Sequence, residues 1–290
     1  MKSTHPHCPI CDGPSSPAFF AAQYKFFRCH SCRTAFVSPQ PTPQELSAFY
    51  DAFHRPREEG GMYDEFEDRM RADFPAKIQT ILKATKKRPL RLLDVGCGKG
   101  YFVRACLDAG IDAEGIDLSV TGVQFAREKL GVNCHVGDLR EAKESLGTFD
   151  AATFWATIEH LPEPIGVLRC IADVLTHDGR LYLDTGIGDD WLDRLLPGCV
   201  QWYDPPQHLF VFSAKGLRFA LEKAGFRIVD FDPSFERTPA RRVLKMLRNG
   251  TAAAMIRTAT ELGFAGKKGP TFVRFPMGNL MSASAVKSDA

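Results

Sequence analysis

The residues best suited to chemistry fall into three sets, and the first lies at the start of the chain. Cys8, Cys11, Cys29 and Cys32 form two C-x2-C pairs separated by 17 residues. Two such loops facing each other present four thiolates tetrahedrally, the arrangement of a zinc ribbon. Four sulfurs leave no coordination position open, so the spacing predicts a structural Zn2+ rather than a catalytic one. His5, His7 and His30 lie close enough to substitute as ligands and are read as solvated neighbours.

The second set is a glycine-rich bend followed by two acids. Asp94-Val-Gly96-Cys-Gly98-Lys-Gly100 ends one apolar run and opens a helical pattern. Such a bend lets backbone amides approach a ligand closely. A dinucleotide fingerprint places its third glycine at position 101, and Tyr101 stands there, so the bend departs from a dehydrogenase. Asp117 closes the next apolar run, where a carboxylate accepts ribose hydroxyls; Asp138, before Leu139, follows the third run and suits an adenine amino group. Any one of these acids is also an ordinary cap or turn residue. Together, at the ends of three successive strands, they point to a nucleoside. The third set is His160 and His208, imidazoles that titrate near neutrality and are candidate catalytic bases. A structural hydrogen bond is the competing reading of His160. His208 sits in Asp204-Pro-Pro-Gln-His208, a rigid loop with Trp191, Trp202, Tyr203 and Phe210 nearby, read as a substrate lid.

These sets need a scaffold, and the hydropathy pattern supplies one. Apolar runs at 92–95, 113–116, 134–136, 149–154, 180–183 and 227–231 alternate with helical patterns starting near Tyr101, Ser119, Pro164 and Ala214. That alternation predicts an α/β fold, a parallel sheet with helices on both faces, and a last strand at 279–286 completes it. Three segments are expected: a zinc-ribbon module at 1–40, a helical connector or lid at 41–88, and the α/β domain at 89–290. In the connector, Thr42-Pro-Gln-Glu45 is a capping box that starts a helix, Gly60-Gly61 breaks the pattern, and Pro75 restarts it.

Composition bounds the function classes. A chain of 290 residues, 44% hydrophobic and 25% charged, buries a full core and one small module. Its net charge of +2 argues against a general polyanion binder. No apolar run nears the roughly 18 residues of a membrane span, the start is polar, and nine cysteines suit a reducing compartment, so a cytoplasmic protein is expected. Residues 236–276 read as a basic helical insertion, with nine Lys or Arg against two acids. Such a face grips an anionic surface or substrate, or is a solvated face or homodimer contact.

The stretches Leu92-Leu-Asp-Val-Gly-Cys-Gly-Lys-Gly100, Gly115-Ile-Asp117, Phe149-Asp-Ala-Ala-Thr-Phe-Trp-Ala-Thr-Ile-Glu-His-Leu161 and Val174-Leu-Thr-His-Asp-Gly-Arg-Leu-Tyr-Leu183 resemble class I S-adenosylmethionine-dependent methyltransferases. The cysteine pairs, Phe36-Val-Ser-Pro39 and Leu46 to Tyr50 resemble the subgroup with an N-terminal zinc-ribbon head. The resemblance implies a Rossmann-like, mostly parallel seven-stranded sheet. It also implies that Asp94, Gly96, Gly98 and Gly100 hold the methionine end of S-adenosylmethionine, Asp117 the ribose, and Asp138 with Leu139 the adenine. Leu118 and Trp155 join that cofactor-binding set. The implied activity is methyl transfer to a small-molecule, sugar or natural-product acceptor, with oxygen favoured. Two other readings stay open here. An RNA methyltransferase would use the ribbon and basic insertion to bind nucleic acid, with a strong salt dependence. A non-catalytic interaction protein would keep the cofactor fold without transfer.

Overall fold

The computed structural model describes residues 5–21, 23–63, 70–85, 89–189, 193, 202–233 and 280–288. The basic insertion at 236–276 and Trp191 lie outside these residues.

The large sheet contains seven strands: β4 (Arg91–Val95), β5 (Asp112–Asp117), β6 (Cys134–Val136), β7 (Phe149–Trp155), β8 (Leu175–Gly186), β10 (Phe226–Asp232) and β11 (Leu280–Lys287). Their spatial order is β6-β5-β4-β7-β8-β11-β10, and β11 runs antiparallel to both of its neighbours. The order reverses at β4, so β4 and β7 diverge toward opposite halves of the sheet and open a crevice at their carboxyl ends. Central strands covered on both faces need unbroken apolar runs. Accordingly, Leu92, Leu93, Phe149, Ala151, Ala152 and Phe154 are fully buried.

Helices α3 (Tyr101–Asp108), α4 (Val120–Leu130), α5 (Leu139–Leu146), α6 (Pro164–Val174) and α7 (Ala214–Lys223) cross over the sheet. Ser119, Asp138 and Ser213 cap α4, α5 and α7 through their side chains. Helix α1 (Pro43–Phe53) begins at the capping box, where the Glu45 amide donates to Thr42 Oγ1 and the Glu45 carboxylate accepts from the Thr42 amide. Helix α2 (Phe74–Ala84) restarts at Pro75 and buries Phe74, Ile78 and Ile81.

The N-terminal module forms a second sheet of four strands in the order β1-β2-β3-β9, where β1 is Ser15–Ala21, β2 Tyr24–Cys29, β3 Ala35–Val37 and β9 Phe210–Val211. Its last strand comes from the far end of the chain. Phe36 pairs with Phe210 and Ala35 with Val211, while the Val37 amide donates to the Leu209 carbonyl at 2.9 Å. Side chains reinforce the joint. Arg28 meets Asp193 at 2.8 Å and Tyr203 Oη at 2.5 Å, and Tyr203 donates to Asp193 at 2.6 Å. Asp193 and the guanidinium end of Arg28 form a largely buried ion pair, and breaking such a pair by removing one partner is costly. Arg28→Ala is therefore expected to lower stability by about 3 kcal/mol, read from the urea midpoint at unchanged slope.

Candidate functional site

Residues from six segments converge at the carboxyl edge of β4, β5 and β7. Gly96, Gly98 and Gly100 all have positive φ, of 77°, 52° and 75°, which explains why the bend needs glycine. A Cβ on Gly96 would stand 2.4 Å from Thr157 Cγ2, so a side chain is excluded there for reasons of space as well as strain. The N-cap of α3 is Gly100, which has no side chain to satisfy the first amides of the helix.

Asp117 locks this bend. Its carboxylate accepts from the Gly98 amide and from the Ser119 amide, each at 2.8 Å. One side chain thus ties the glycine bend to the start of α4 and fixes its own orientation. Asp94 lies beneath the bend, buried, with its carboxylate accepting from Thr153 Oγ1 at 2.6 Å. Burial pushes the Asp94 carboxyl up to about 7 against the opposing pull of Thr153 and Lys77. Asp138 caps α5 and is clasped by Arg140, whose Nη2 reaches Oδ2 at 2.6 Å. Burial works against the Asp138 charge, but the Arg140 guanidinium and amide overcome it and hold the carboxyl below its usual range. Leu139 is buried in the core, whereas Leu118 is exposed beside Asp117. The indole of Trp155 is partly buried against Phe102, and the Lys77 ammonium stands 4.1 Å from its ring centre.

The connector covers the bend. Asp51 on α1 accepts from Ser119 Oγ at 3.2 Å, and Tyr50 and His54 follow the same face toward the sheet. A Cβ on Gly98 would meet Tyr63 Oη at 2.9 Å and His54 Nε2 at 3.1 Å. Asp51, His54 and Tyr63 were not singled out by the sequence, because nothing in the local pattern of α1 tells which element its polar face meets. Lys77, which bonds Asp184 at 2.7 Å beside Trp155, was missed for the same reason.

His160 and His208 come together, with ring centres 4.9 Å apart. His160 ends the short 3-10 turn Ile158–His160 after β7, and its Nδ1 donates to the Gln207 carbonyl at 2.6 Å. That carbonyl also accepts from Tyr50 Oη at 3.2 Å. The Leu209 amide donates to the Glu159 carbonyl at 2.9 Å, which pins the 204–209 loop to the turn. The scarcity of water around His160 brings its imidazole down to about 4, and burial pushes the neighbouring Glu159 carboxyl up to about 8. Both imidazoles stand beside Glu159, an acid that the sequence pattern did not single out although it is the residue next to His160.

At the N-terminus the four cysteine sulfurs lie within 4.8 Å of one another. Cys8 and Cys32 are 3.6 Å apart and Cys11 and Cys29 3.4 Å, close to the edge of about 3.8 Å that sulfur ligands at ~2.3 Å require. Asp12 and Arg33 follow the second cysteine of each pair with φ of 57° and 69°, so the two loops turn alike. The amides of Ser31 and Cys32 point at Cys29 Sγ from 3.3 and 3.4 Å.

A family model for the methyltransferase domain matches residues 66–230, which holds the bend, Asp117, Asp138 and the turn after β7. The chain belongs to this family. The methyltransferase domain is 29% identical over 173 residues to the ubiquinone biosynthesis O-methyltransferase of Xanthomonas axonopodis pv. citri, covering 54% of this chain and 70% of that one. It is 32% identical over 146 residues to the protein of the same name from Xanthomonas oryzae pv. oryzae, with 44% and 61% covered. The chain thus spans about two thirds of the length of these relatives. In fold it is similar to the plantazolicin methyltransferase BamL, at a TM-score of 0.55 and 16% identity over 85% of this chain and 98% of that one. The (4+2)-cyclase SpnF is similar at 0.54 and 23%, over 87% and 99%. A methyltransferase and a cyclase share this architecture, so the reaction of the domain is argued from its family and its side chains, not from its fold.

Proposed function

We propose that this methyltransferase domain uses S-adenosylmethionine to methylate a hydroxyl oxygen of a small molecule, of the sugar or natural-product kind. The observation that carries this reading is the Asp117 clasp on the Gly98 amide within the family's matched segment. The residues fit the cofactor. Gly96, Gly98 and Gly100 put no side chain on the bend, which leaves its backbone open to a ligand, and the uncapped start of α3 suits the carboxylate of an amino-acid tail. Asp94 faces the tail's ammonium, Asp117 the ribose hydroxyls, and Asp138 with Leu139 the adenine. Leu118, exposed beside Asp117, offers apolar cover for the base. When bound, S-adenosylmethionine supplies an electrophilic methyl group on a sulfonium.

The chain's own contribution is placement and exclusion of water. Helix α1, through Tyr50, Asp51 and His54, roofs the bend, and the 204–209 loop closes the side toward His160. His160 and His208 stand where the acceptor hydroxyl is brought in. His160 reaches the Gln207 carbonyl through Nδ1, so Nδ1 carries the proton of the neutral ring and Nε2 its lone pair. The names of the relatives support oxygen as the target. Calorimetric titration with S-adenosylhomocysteine, followed by labelled methyl transfer to a panel of phenols and sugars, tests the reading. No binding of the nucleoside would end it.

The four cysteines fit a structural Zn2+, which we place at Cys8, Cys11, Cys29 and Cys32 on the ground that four thiols at these separations suit no harder ion. The ribbon at 1–40 then acts as a brace for the 204–209 loop rather than a tethered head.

Asp94 gives a stability test independent of turnover. Its folded-state carboxyl, at about 7, lies above the unfolded value near ~4, so the stability it contributes is full below pH ~4 and is lost as pH rises through 7. Asp94→Asn removes this loss. The variant is expected to match the parent at pH 4 and to melt higher at pH 8, by at most ~4 kcal/mol, while binding S-adenosylhomocysteine more weakly.

A further inference from the structure

We propose that Glu159, His160 and His208 form a second metal site, which takes a divalent first-row transition ion and presents it to the acceptor. One ligand atom from each residue lies within 4.8 Å of the others. Bonds of about 2.0–2.2 Å to a shared ion would bring such atoms to separations of about 3–4 Å, inside the 4.8 Å limit found.

Each member of the set is prepared for the role. Glu159 is buried, and neither of its carboxylate oxygens completes a hydrogen bond of normal geometry, although the Thr185 hydroxyl and the Gly186 amide lie on its side. Among the described residues no Lys or Arg forms an ion pair with it. A buried carboxylate without a cation is costly, and among the described residues the two imidazoles are the ligand-type side chains grouped with it. In His160 the Gln207 carbonyl can only accept, so Nδ1 carries the proton and the lone pair of the neutral ring is on Nε2. A backbone carbonyl behind the imidazole is how a ligating histidine is oriented. The Leu209 amide bond to the Glu159 carbonyl sets His208, one residue earlier in the loop, against the same turn.

The donor set is two imidazoles and a carboxylate, which suits Mn2+, Fe2+, Co2+ or Zn2+ better than Mg2+ or Ca2+. Three protein ligands leave coordination positions open, unlike the four thiols at the N-terminus. Resting on the proposed O-methyl transfer, this chemistry selects an acceptor whose hydroxyl has a second oxygen close enough to bind the same ion. The two histidines would then serve as ligands, and neither would be the base.

The probe is Mn2+, which thiolates take up poorly, added to protein stripped to one zinc per chain, held by its cysteines, and followed by electron paramagnetic resonance. The expected result is one Mn2+ per chain, with echo modulation from imidazole nitrogen. Glu159→Gln and His208→Gln should each weaken binding at least tenfold. Absence of Mn2+ binding, binding without nitrogen modulation, or affinity unchanged in both variants would overturn the site and leave a hydrogen-bonded cluster. The parent protein alone decides the first two outcomes, so a variant that fails to fold does not stall the test. Titration with S-adenosylhomocysteine on the same samples separates the two proposals. Nucleoside binding without Mn2+ sinks only the metal site, and Mn2+ binding without the nucleoside sinks only the methyl-transfer reading.

Discussion

Cys29→Ser is expected to release the zinc and unfold the N-terminal sheet while leaving nucleoside binding largely intact. Cys29 is fully buried and is the sulfur toward which two amides point, so it has the most to lose. Structural Zn2+ sites contribute an apparent ~10–16 kcal/mol in isolated zinc modules, comparable to the whole stability of a domain. A ribbon of about 40 residues has too small an apolar core to survive without it. The effect should travel along β3 to β9. Elemental analysis should show the zinc content falling by one per chain, and hydrogen exchange should speed at 208–212. Strands β4 to β6 lie elsewhere, so affinity for S-adenosylhomocysteine should change by less than about threefold. A zinc-free variant with parental exchange at 208–212 would refute the brace.

The second large effect is expected from Asp117→Ala, a loss of about a thousandfold in affinity for S-adenosylhomocysteine, or ~4 kcal/mol. Two contributions add. The carboxylate's charge-assisted bonds to ribose hydroxyls disappear, worth roughly 1.5–3 kcal/mol. The Gly98 and Ser119 amides lose their acceptor, and the bend is no longer held to α4. Asp117→Asn separates them. It keeps one oxygen for an amide but turns a donor toward the other, and should fall between the parent and the alanine variant in a calorimetric titration. Equal affinity in all three proteins would remove Asp117 from the site.

The strands of the large sheet were legible because a strand covered on both faces must be an unbroken apolar run, and the runs at 92–95 and 149–154 sit in β4 and β7. Helix α5 escaped the pattern. Its sequence LREAKESL buries Leu139 and Leu146 and packs the small Ala142 beside them, so the helical period is nearly silent. Strands β3 and β9 are too short to register alone and acquire their meaning from a pairing between Phe36 and Phe210 that no local window contains. The glycine bend and Asp117 were readable because their chemistry is written in adjacent residues. By contrast, Glu159 and His208 approach each other only through the loop that the Leu209 amide fastens, and their association is a property of tertiary structure.

The shared edge between β3 and β9 also constrains how such a protein can be rebuilt. Swapping the first 40 residues for those of a relative would hand β9 an unfamiliar neighbour, with an altered row of amides and carbonyls and a different partner for Tyr203. Head and acceptor loop should therefore be exchanged as a matched set, and chimaeras that graft one without the other should misplace His208 even when both halves come from active enzymes.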